Sequence, residues 1–90
     1  MPYFVYILLS KKDGRLYVGC TRDVAQRVKR HNNNEVPATR NRRPLVLVYS
    51  QKFLEKADAF ERERFLKSLW GAREKKGILK EYISKIGHAS

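Results

Sequence analysis

Residues 3–20 read YFVYILLSKKDGRLYVGC, and this stretch determines the predicted fold. Its first part, residues 3–9, is aromatic and β-branched without a polar break, which favours a strand covered on both faces. Asp13 and Gly14 form a turn signal, and residues 16–20 are a second apolar run. The stretch therefore predicts a β-hairpin whose first strand is central in its sheet.

A helix and a third strand are predicted directly after the hairpin. Thr21 is the expected N-cap of this helix, which carries Val24 and Val28 on its apolar side and stops at residues 32–34. A polar, basic loop over residues 35–43 leads to a strand at 45–49.

Two more helices complete the pattern. The helical period returns from Ala57 to Trp70, and Gly71 is expected to interrupt it before a last amphipathic helix. The order ββαβαα predicts an α+β fold with a small three-stranded, mainly antiparallel sheet flanked by helices. The chain shows no repeat or long linker, so we expect one domain over residues 1–90. The apolar face of the last helix is built from Ile78, Leu79, Tyr82, Ile83 and Ile86.

The charge balance indicates a polyanionic partner. Twenty Lys and Arg against nine Asp and Glu leave a net charge of +11 on a chain of 90 residues. Nucleic acid is the favoured partner, and a solvated basic surface and an anionic membrane are the alternatives. The longest apolar run is too short to span a membrane and lacks the features of a signal peptide, so a cytoplasmic location is expected.

The single cysteine, Cys20, excludes an internal disulfide. Together with His31 and His88 it makes no zinc-ligand set of recognised spacing. Cys20 has no partner at a spacing diagnostic of a nucleophile, so a packing role is favoured over a catalytic one.

A carboxylate lies beside the apolar stripe of the helix that follows the third strand. Ala59, Leu66 and Trp70 share one stripe at about 100° per residue, and Glu63 lies at its edge, whereas Glu61 points away. A carboxylate beside apolar side chains is unfavourable unless it is paired or bound to a cation. The pattern leaves two interpretations open: an ion pair to the residue at i+4, Lys67, or a cation site.

Other polar side chains of interest lie on the hairpin and the first helix. Tyr6 and Tyr17 occupy adjacent strands, and Arg27 and His31 share one helix edge at i,i+4. Taken singly, each tyrosine is predicted to pack in the core or at the sheet edge, and the arginine is predicted to be solvated.

Taken together, these motifs resemble those of the GIY-YIG nucleases. The matching segments are residues 4–6 (FVY), residues 17–19 (YVG), Arg27, His31 and residues 59–63 (AFERE), in this order. The resemblance spans residues 3 to about 80. It departs from the family motifs where Phe4, Val5 and Val18 replace their glycine and isoleucines, but both tyrosines and Gly19 are retained.

The resemblance implies a metal-dependent endonuclease that hydrolyses phosphodiester bonds. Glu63 would hold one Mg²⁺ or Mn²⁺ ion, and Arg27 would clamp non-bridging phosphate oxygens. One of Tyr6 and Tyr17 would act as general base or orient the attacking water, with His31 a cation or donor beside them.

We expect DNA, rather than RNA, as the substrate, cut with low sequence specificity and with branched, flapped or nicked forms as repair-type targets. A separate protein partner would supply specificity, and the chain would be a monomer or weak dimer.

Two rival hypotheses are a non-catalytic nucleic-acid-binding module of the same fold and a basic scaffold that binds a protein through Trp70 and the last helix. The expected nucleic-acid contacts are Arg22, Lys29, Thr39, Arg40, Arg42, Arg43 and Lys67.

Overall fold

The computed structural model describes residues 1–87, so His88 lies outside the described residues. The elements follow the order ββαβαα, with two short 3₁₀ turns between them. They are β1 (Tyr3–Ser10), β2 (Leu16–Thr21), α1 (Val24–Asn32), a 3₁₀ turn (Pro37–Thr39), β3 (Leu45–Phe53), α2 (Lys56–Lys67), a second 3₁₀ turn (Leu69–Gly71) and α3 (Ala72–Gly87).

The three strands form one antiparallel sheet in the order β2-β1-β3. The central position of β1 is confirmed, and so is the α+β class. Gly14 has φ +76° in the hairpin turn, a conformation that favours glycine. Asp13 supports the turn because its Oδ1 accepts a hydrogen bond from the Arg15 amide at 2.9 Å.

The side chains of the central strand alternate between the two faces of the sheet, and helices cover both faces. Val5 and Ile7 pack on one face against α2, and Tyr6 and Leu8 pack on the other face against α1. Each fully buried aliphatic side chain contributes about 1.5–3 kcal/mol relative to an exposed one. The buried partners are Ala59 and Leu66 on the α2 face and Leu45 on the α1 face, where the half-buried Val24 and Val28 also pack.

The ends of α1 are fixed by two polar side chains. Asp23, not Thr21, is the N-cap, because its Oδ1 accepts a hydrogen bond from the Gln26 amide at 3.0 Å. At the other end, the Asn32 amide accepts from Leu45 N at 2.8 Å and donates to Leu45 O at 2.9 Å. Asn32 thus pairs with the start of β3 as a neighbouring strand would.

The second helix ends earlier than the sequence indicates. Ser68 has ψ 169°, an extended conformation that stops α2 before the 3₁₀ turn. Gly71 is buried in that turn, where a Cβ would overlap the backbone of α2. Trp70 is therefore 84% exposed, and its predicted place on the apolar stripe is wrong.

The last helix begins at Ala72 and packs only part of its predicted apolar face. Ile78 and Tyr82 are half-buried, whereas Ile83 and Ile86 are 51% and 49% exposed. Among residues 1–87, none of the helices has the length and apolar character needed to cross a bilayer.

Candidate active site

Tyr6 lies on the central strand with its ring over Gly19 of β2. The two residues are paired in the register, and a Cβ at position 19 would overlap the phenol of Tyr6. Tyr17 packs on the same face and is half-buried. Gly19 therefore provides the space that lets the Tyr6 ring lie across β2, close to Tyr17.

Two side chains of α1 contact the hydroxyl of Tyr6. His31 Nε2 is 3.0 Å from Tyr6 Oη, and Arg27 Nε donates a hydrogen bond to the same oxygen at 3.3 Å. The i,i+4 spacing places both side chains on the edge of α1 that faces the sheet. His31 is only 4% exposed and Tyr6 only 2%, so this contact is shielded from solvent.

Thr39 completes the network behind His31. Its Oγ1 lies 2.7 Å from His31 Nδ1, and its side chain is fully buried in the first 3₁₀ turn. The prediction that Thr39 contacts nucleic acid is wrong, because a buried hydroxyl held by His31 does not reach a phosphate. The signal in the sequence was its place within a run of arginines, which does not report burial.

The imidazole of His31 is held neutral near pH 7. Burial lowers its pKa below the ordinary value of 6.5, and the positive charges of Arg27 and Arg30 lower it further. A neutral imidazole carries one N–H and one acceptor nitrogen, so its two contacts have opposite directions.

Glu63 approaches the site from the other side of the sheet. Helix α2 packs on the face opposite to Tyr6, but β2 is an edge strand and Glu63 lies next to it. Its charge acts on Cys20 of β2, whose pKa is raised first by burial and then by Glu63. The Glu63 side chain is 21% exposed and forms an ion pair with Lys67 Nζ at 2.9 Å.

A cavity of about 200 Å³ at the free edge of β2 joins these residues. It receives side chains from both faces of the sheet, from α1 and α2, and from the loop that contains Thr39. Cys20 also lines it while packing against the core on the α2 face. All five predicted catalytic residues are on its wall: Tyr6, Tyr17, Arg27, His31 and Glu63, together with Lys67.

The donor set at this cavity fits one hard divalent cation. Glu63 is the one carboxylate among the lining residues, and no cluster of three His, Cys, Asp or Glu side chains occurs within residues 1–87. Mg²⁺ is commonly held by one or two carboxylates, with water and phosphate oxygens as its other ligands. Lys67 competes with such a cation because it already pairs with Glu63.

The remaining predicted phosphate contacts are not part of the cavity wall. Arg22 is exposed, and its Nη2 donates to Tyr3 Oη at 2.7 Å. Lys29 and Arg40 are exposed as well.

Arg42 and Arg43 lie in the loop before β3. Arg42 pairs with Asp13 of the hairpin turn at 3.4 Å, and Arg43 Nη1 donates to Asn32 O at 3.4 Å. No local pattern in the sequence indicates the ion pair with Asp13, because the two residues are distant along the chain. Part of the positive charge of Arg42 is neutralised by it.

The family model described as the GIY-YIG catalytic domain matches residues 2–76. The chain belongs to the GIY-YIG family.

Several relatives are similar over most of their length. The UPF0213 protein of Staphylococcus saprophyticus is 39% identical over 75 residues, which cover 82% of this chain and 88% of the relative. The UPF0213 protein of Desulfotalea psychrophila is also 39% identical over 75 residues, covering 81% of this chain and 67% of the relative. The solution NMR structure of the UPF0213 protein BH0048 from Bacillus halodurans matches with a TM-score of 0.54 and 36% identity, covering 89% of this chain and 84% of that one.

Proposed function

We propose that this protein is a divalent-metal-dependent endonuclease that hydrolyses phosphodiester bonds in nucleic acid, with DNA preferred to RNA and little sequence specificity. One observation carries the proposal. Side chains from the hairpin, α1 and α2 meet at a single cavity, and they include a base candidate, a phosphate-binding guanidinium and a carboxylate. Family membership supports the same class of reaction.

Arg27 is the candidate phosphate clamp. Its Nε donates a hydrogen bond to Tyr6 Oη, but its two Nη groups make no hydrogen bond or ion pair with any of residues 1–87. A guanidinium held at one end and free at the other can give two parallel, charge-assisted hydrogen bonds to non-bridging phosphate oxygens. Such donors act most strongly on the charge that develops in the transition state.

Tyr6 is the candidate general base, and Tyr17 the candidate for orienting the water or substrate. The Tyr6 oxygen lies 3.0 Å from His31 Nε2 and accepts a hydrogen bond from Arg27 Nε at 3.3 Å, so it is held beside the guanidinium that would bind the phosphate. The hydroxyl of Tyr17 has no hydrogen-bond partner among residues 1–87, and Tyr17 is one of the residues that line the cavity. It is therefore free to bind a water or a substrate oxygen.

Glu63 is the candidate metal ligand. When bound, one Mg²⁺ or Mn²⁺ ion supplies positive charge beside the scissile phosphate. For Glu63 to accept it, Lys67 must swing away or turn to a substrate phosphate. The half-exposed Lys67 side chain, 55% accessible, is free to do so.

The exposed arginines and lysines outside the cavity would position the nucleic acid through its backbone without reading bases. A chain of this size has little further surface, so nicked, flapped or branched DNA is the proposed substrate.

The proposed contact for a protein that adds specificity is formed by Leu69 and Trp70, which are 92% and 84% exposed. A monomer with one such cavity would nick rather than cut both strands, and a cytoplasmic location is proposed.

The test compares Glu63→Gln with Glu61→Gln. Both carboxylates lie on α2, but Glu61 is exposed and lines a different depression. Parent and variants are incubated with plasmid, branched DNA and RNA, with and without Mg²⁺ or Mn²⁺. We expect Glu63→Gln to lose cleavage by orders of magnitude while its nucleic-acid binding holds or tightens, because a repulsive charge is removed. Equal cleavage by Glu63→Gln and the parent would refute the metal-site assignment.

The Glu63–Lys67 ion pair favours a second candidate, a non-catalytic nucleic-acid-binding module. A carboxylate beside a phosphate-binding surface weakens binding, but Lys67 neutralises it in the absence of metal. Binding of DNA or RNA without cleavage under every metal condition would select this candidate.

A further inference from the structure

The buried hydroxyl of Thr39 has two acceptors within reach. His31 Nδ1 lies at 2.7 Å, and Val36 O lies at 3.5 Å. The Val36 carbonyl already accepts the Thr39 backbone N–H at 3.1 Å. A hydroxyl with no exposure must donate to one of them, because a buried polar hydrogen without an acceptor is strongly unfavourable.

Distance decides between the two acceptors. A separation of 2.7 Å is usual for a good hydrogen bond from a hydroxyl, whereas 3.5 Å is at the outer limit. Thr39 therefore donates to His31 Nδ1. In the neutral imidazole the proton then resides on Nε2.

The Nε2–H tautomer fixes the direction of the next hydrogen bond. Nε2 is 3.0 Å from Tyr6 Oη, so His31 donates to the phenol oxygen, as Arg27 Nε does at 3.3 Å. With two donors on this oxygen, the Tyr6 hydroxyl hydrogen turns towards the cavity. The opposite tautomer would turn it towards His31 and leave the Thr39 hydrogen with the distant Val36 carbonyl.

We propose that Thr39 is a positioning residue that sets the Nε2–H tautomer of His31 and through it prepares Tyr6 to act as the general base. In the reaction the Tyr6 hydroxyl passes its proton to water in the cavity, while His31 Nε2–H and Arg27 Nε–H donate to the phenol oxygen. As this happens, the phenol oxygen takes a proton from the attacking water, whose oxygen bonds to phosphorus. The bond between phosphorus and the leaving oxygen breaks, and its electron pair stays on that oxygen, which takes a proton from solvent. The catalytic consequence rests on the proposed nuclease function, whereas the tautomer does not.

The tautomer is measured by long-range ¹H–¹⁵N correlation spectra of the ¹⁵N-labelled protein above pH 7. The chain has two histidines, so the signals missing from a His31→Gln spectrum assign His31. We expect a protonated Nε2 and an unprotonated Nδ1 in the parent and in Thr39→Ser. In Thr39→Val, which is nearly isosteric but lacks the hydroxyl, we expect a mixture of tautomers. A protonated Nδ1 in the parent would overturn the proposal.

Cleavage assays on the same variants test the catalytic consequence. Thr39→Val should lose cleavage by about 10- to 100-fold, the usual effect of losing a residue that orients a functional side chain, with DNA binding unchanged. Thr39→Ser should restore cleavage to near the parent level. If Thr39→Val shifts the tautomer but cleaves like the parent, Thr39 is structural only. If the parent has the expected tautomer but cleaves no nucleic acid, the nuclease function fails and the tautomer assignment stands.

Discussion

The two sides of the cavity are built differently. On the network side, Tyr6, His31 and Thr39 are between 0% and 4% exposed, and their polar atoms are joined in one hydrogen-bonded series. On the edge side, Glu63 and Lys67 are partly open to solvent and share one ion pair. The first side is fixed before substrate arrives, whereas the second can rearrange.

The energies of the two sides explain this difference. Removing one partner from a buried network costs about 1–3 kcal/mol, because the other partner loses its hydrogen bond away from water. An exposed i,i+4 ion pair is worth about 0.2–0.5 kcal/mol. The Glu63–Lys67 pair can therefore be broken at little cost in free energy, which would let Glu63 bind a cation or Lys67 bind a phosphate. Moving His31 costs more.

Arg27 lines the cavity together with residues of both sides, and its loss should have the largest effect. In Arg27→Ala, cleavage should fall by about 10²–10³-fold, because both a donor to Tyr6 and the proposed phosphate clamp are removed. Added Mn²⁺ should not restore the rate, since the proposed metal ligand, Glu63, is untouched. The control is Arg15→Ala, an exposed arginine next to the hairpin turn. Rescue of Arg27→Ala by Mn²⁺ would show that Arg27 acts through the metal site.

Gly19→Ala should displace the Tyr6 ring on the network side and so destabilise the folded protein. The added methyl overlaps the Tyr6 phenol, and forced overpacking costs about 1–3 kcal/mol of the free energy of unfolding. Urea unfolding measures this loss. Gly77→Ala is the control, because a Cβ there meets open space within α3 and should stabilise by up to about 1 kcal/mol. Unchanged stability of Gly19→Ala would mean that the Tyr6 ring moves aside freely.

The network side should also give the stability a pH dependence. Because the folded state lowers the pKa of His31 below the unfolded value of 6.5, the unfolded state binds the proton more readily. This contribution is fully present above pH 6.5 and is lost as the pH falls towards the folded pKa. The free energy of unfolding of the parent should decrease over that range more steeply than that of His31→Gln. Parallel curves would contradict the assignment.

Lys67→Met should have the smallest effect on stability, because it removes only an exposed ion pair. We expect a loss of about 0.2–0.5 kcal/mol, together with a lower Mg²⁺ concentration for half-maximal cleavage, since Glu63 is no longer paired. Lys85→Met removes the analogous pair to Glu81 on α3 and should leave the Mg²⁺ requirement unchanged. Equal Mg²⁺ requirements for both variants would show that Lys67 does not compete for the Glu63 carboxylate.

The strands were the part of the fold that the sequence predicted best. The unbroken apolar run of β1 identified a strand buried on both faces, and its place at the centre of the sheet is confirmed. Periodicity also separated Glu63 from Glu61, since the helix is regular over both residues. Such signals are local, and they hold wherever the element itself is regular.

The errors arose where tertiary contacts decide the outcome. The stripe through Ala59 and Leu66 does not continue to Trp70, because the chain leaves the helix at Ser68. The arginines around Thr39 predict a phosphate contact, but no local pattern shows that its hydroxyl is buried against His31. The link from Asn32 to β3 was missed for the same reason.

The free edge of β2 has a consequence for how copies of the protein behave towards one another. An edge strand presents unpaired backbone groups that can template pairing with a strand of a second molecule. A net charge of +11 keeps copies apart through repulsion over about 10 Å at moderate ionic strength. Salt that releases nucleic acid also screens this repulsion, so the protein freed at high salt should be the form most prone to self-association, and nucleic acid should act as its solubilising partner.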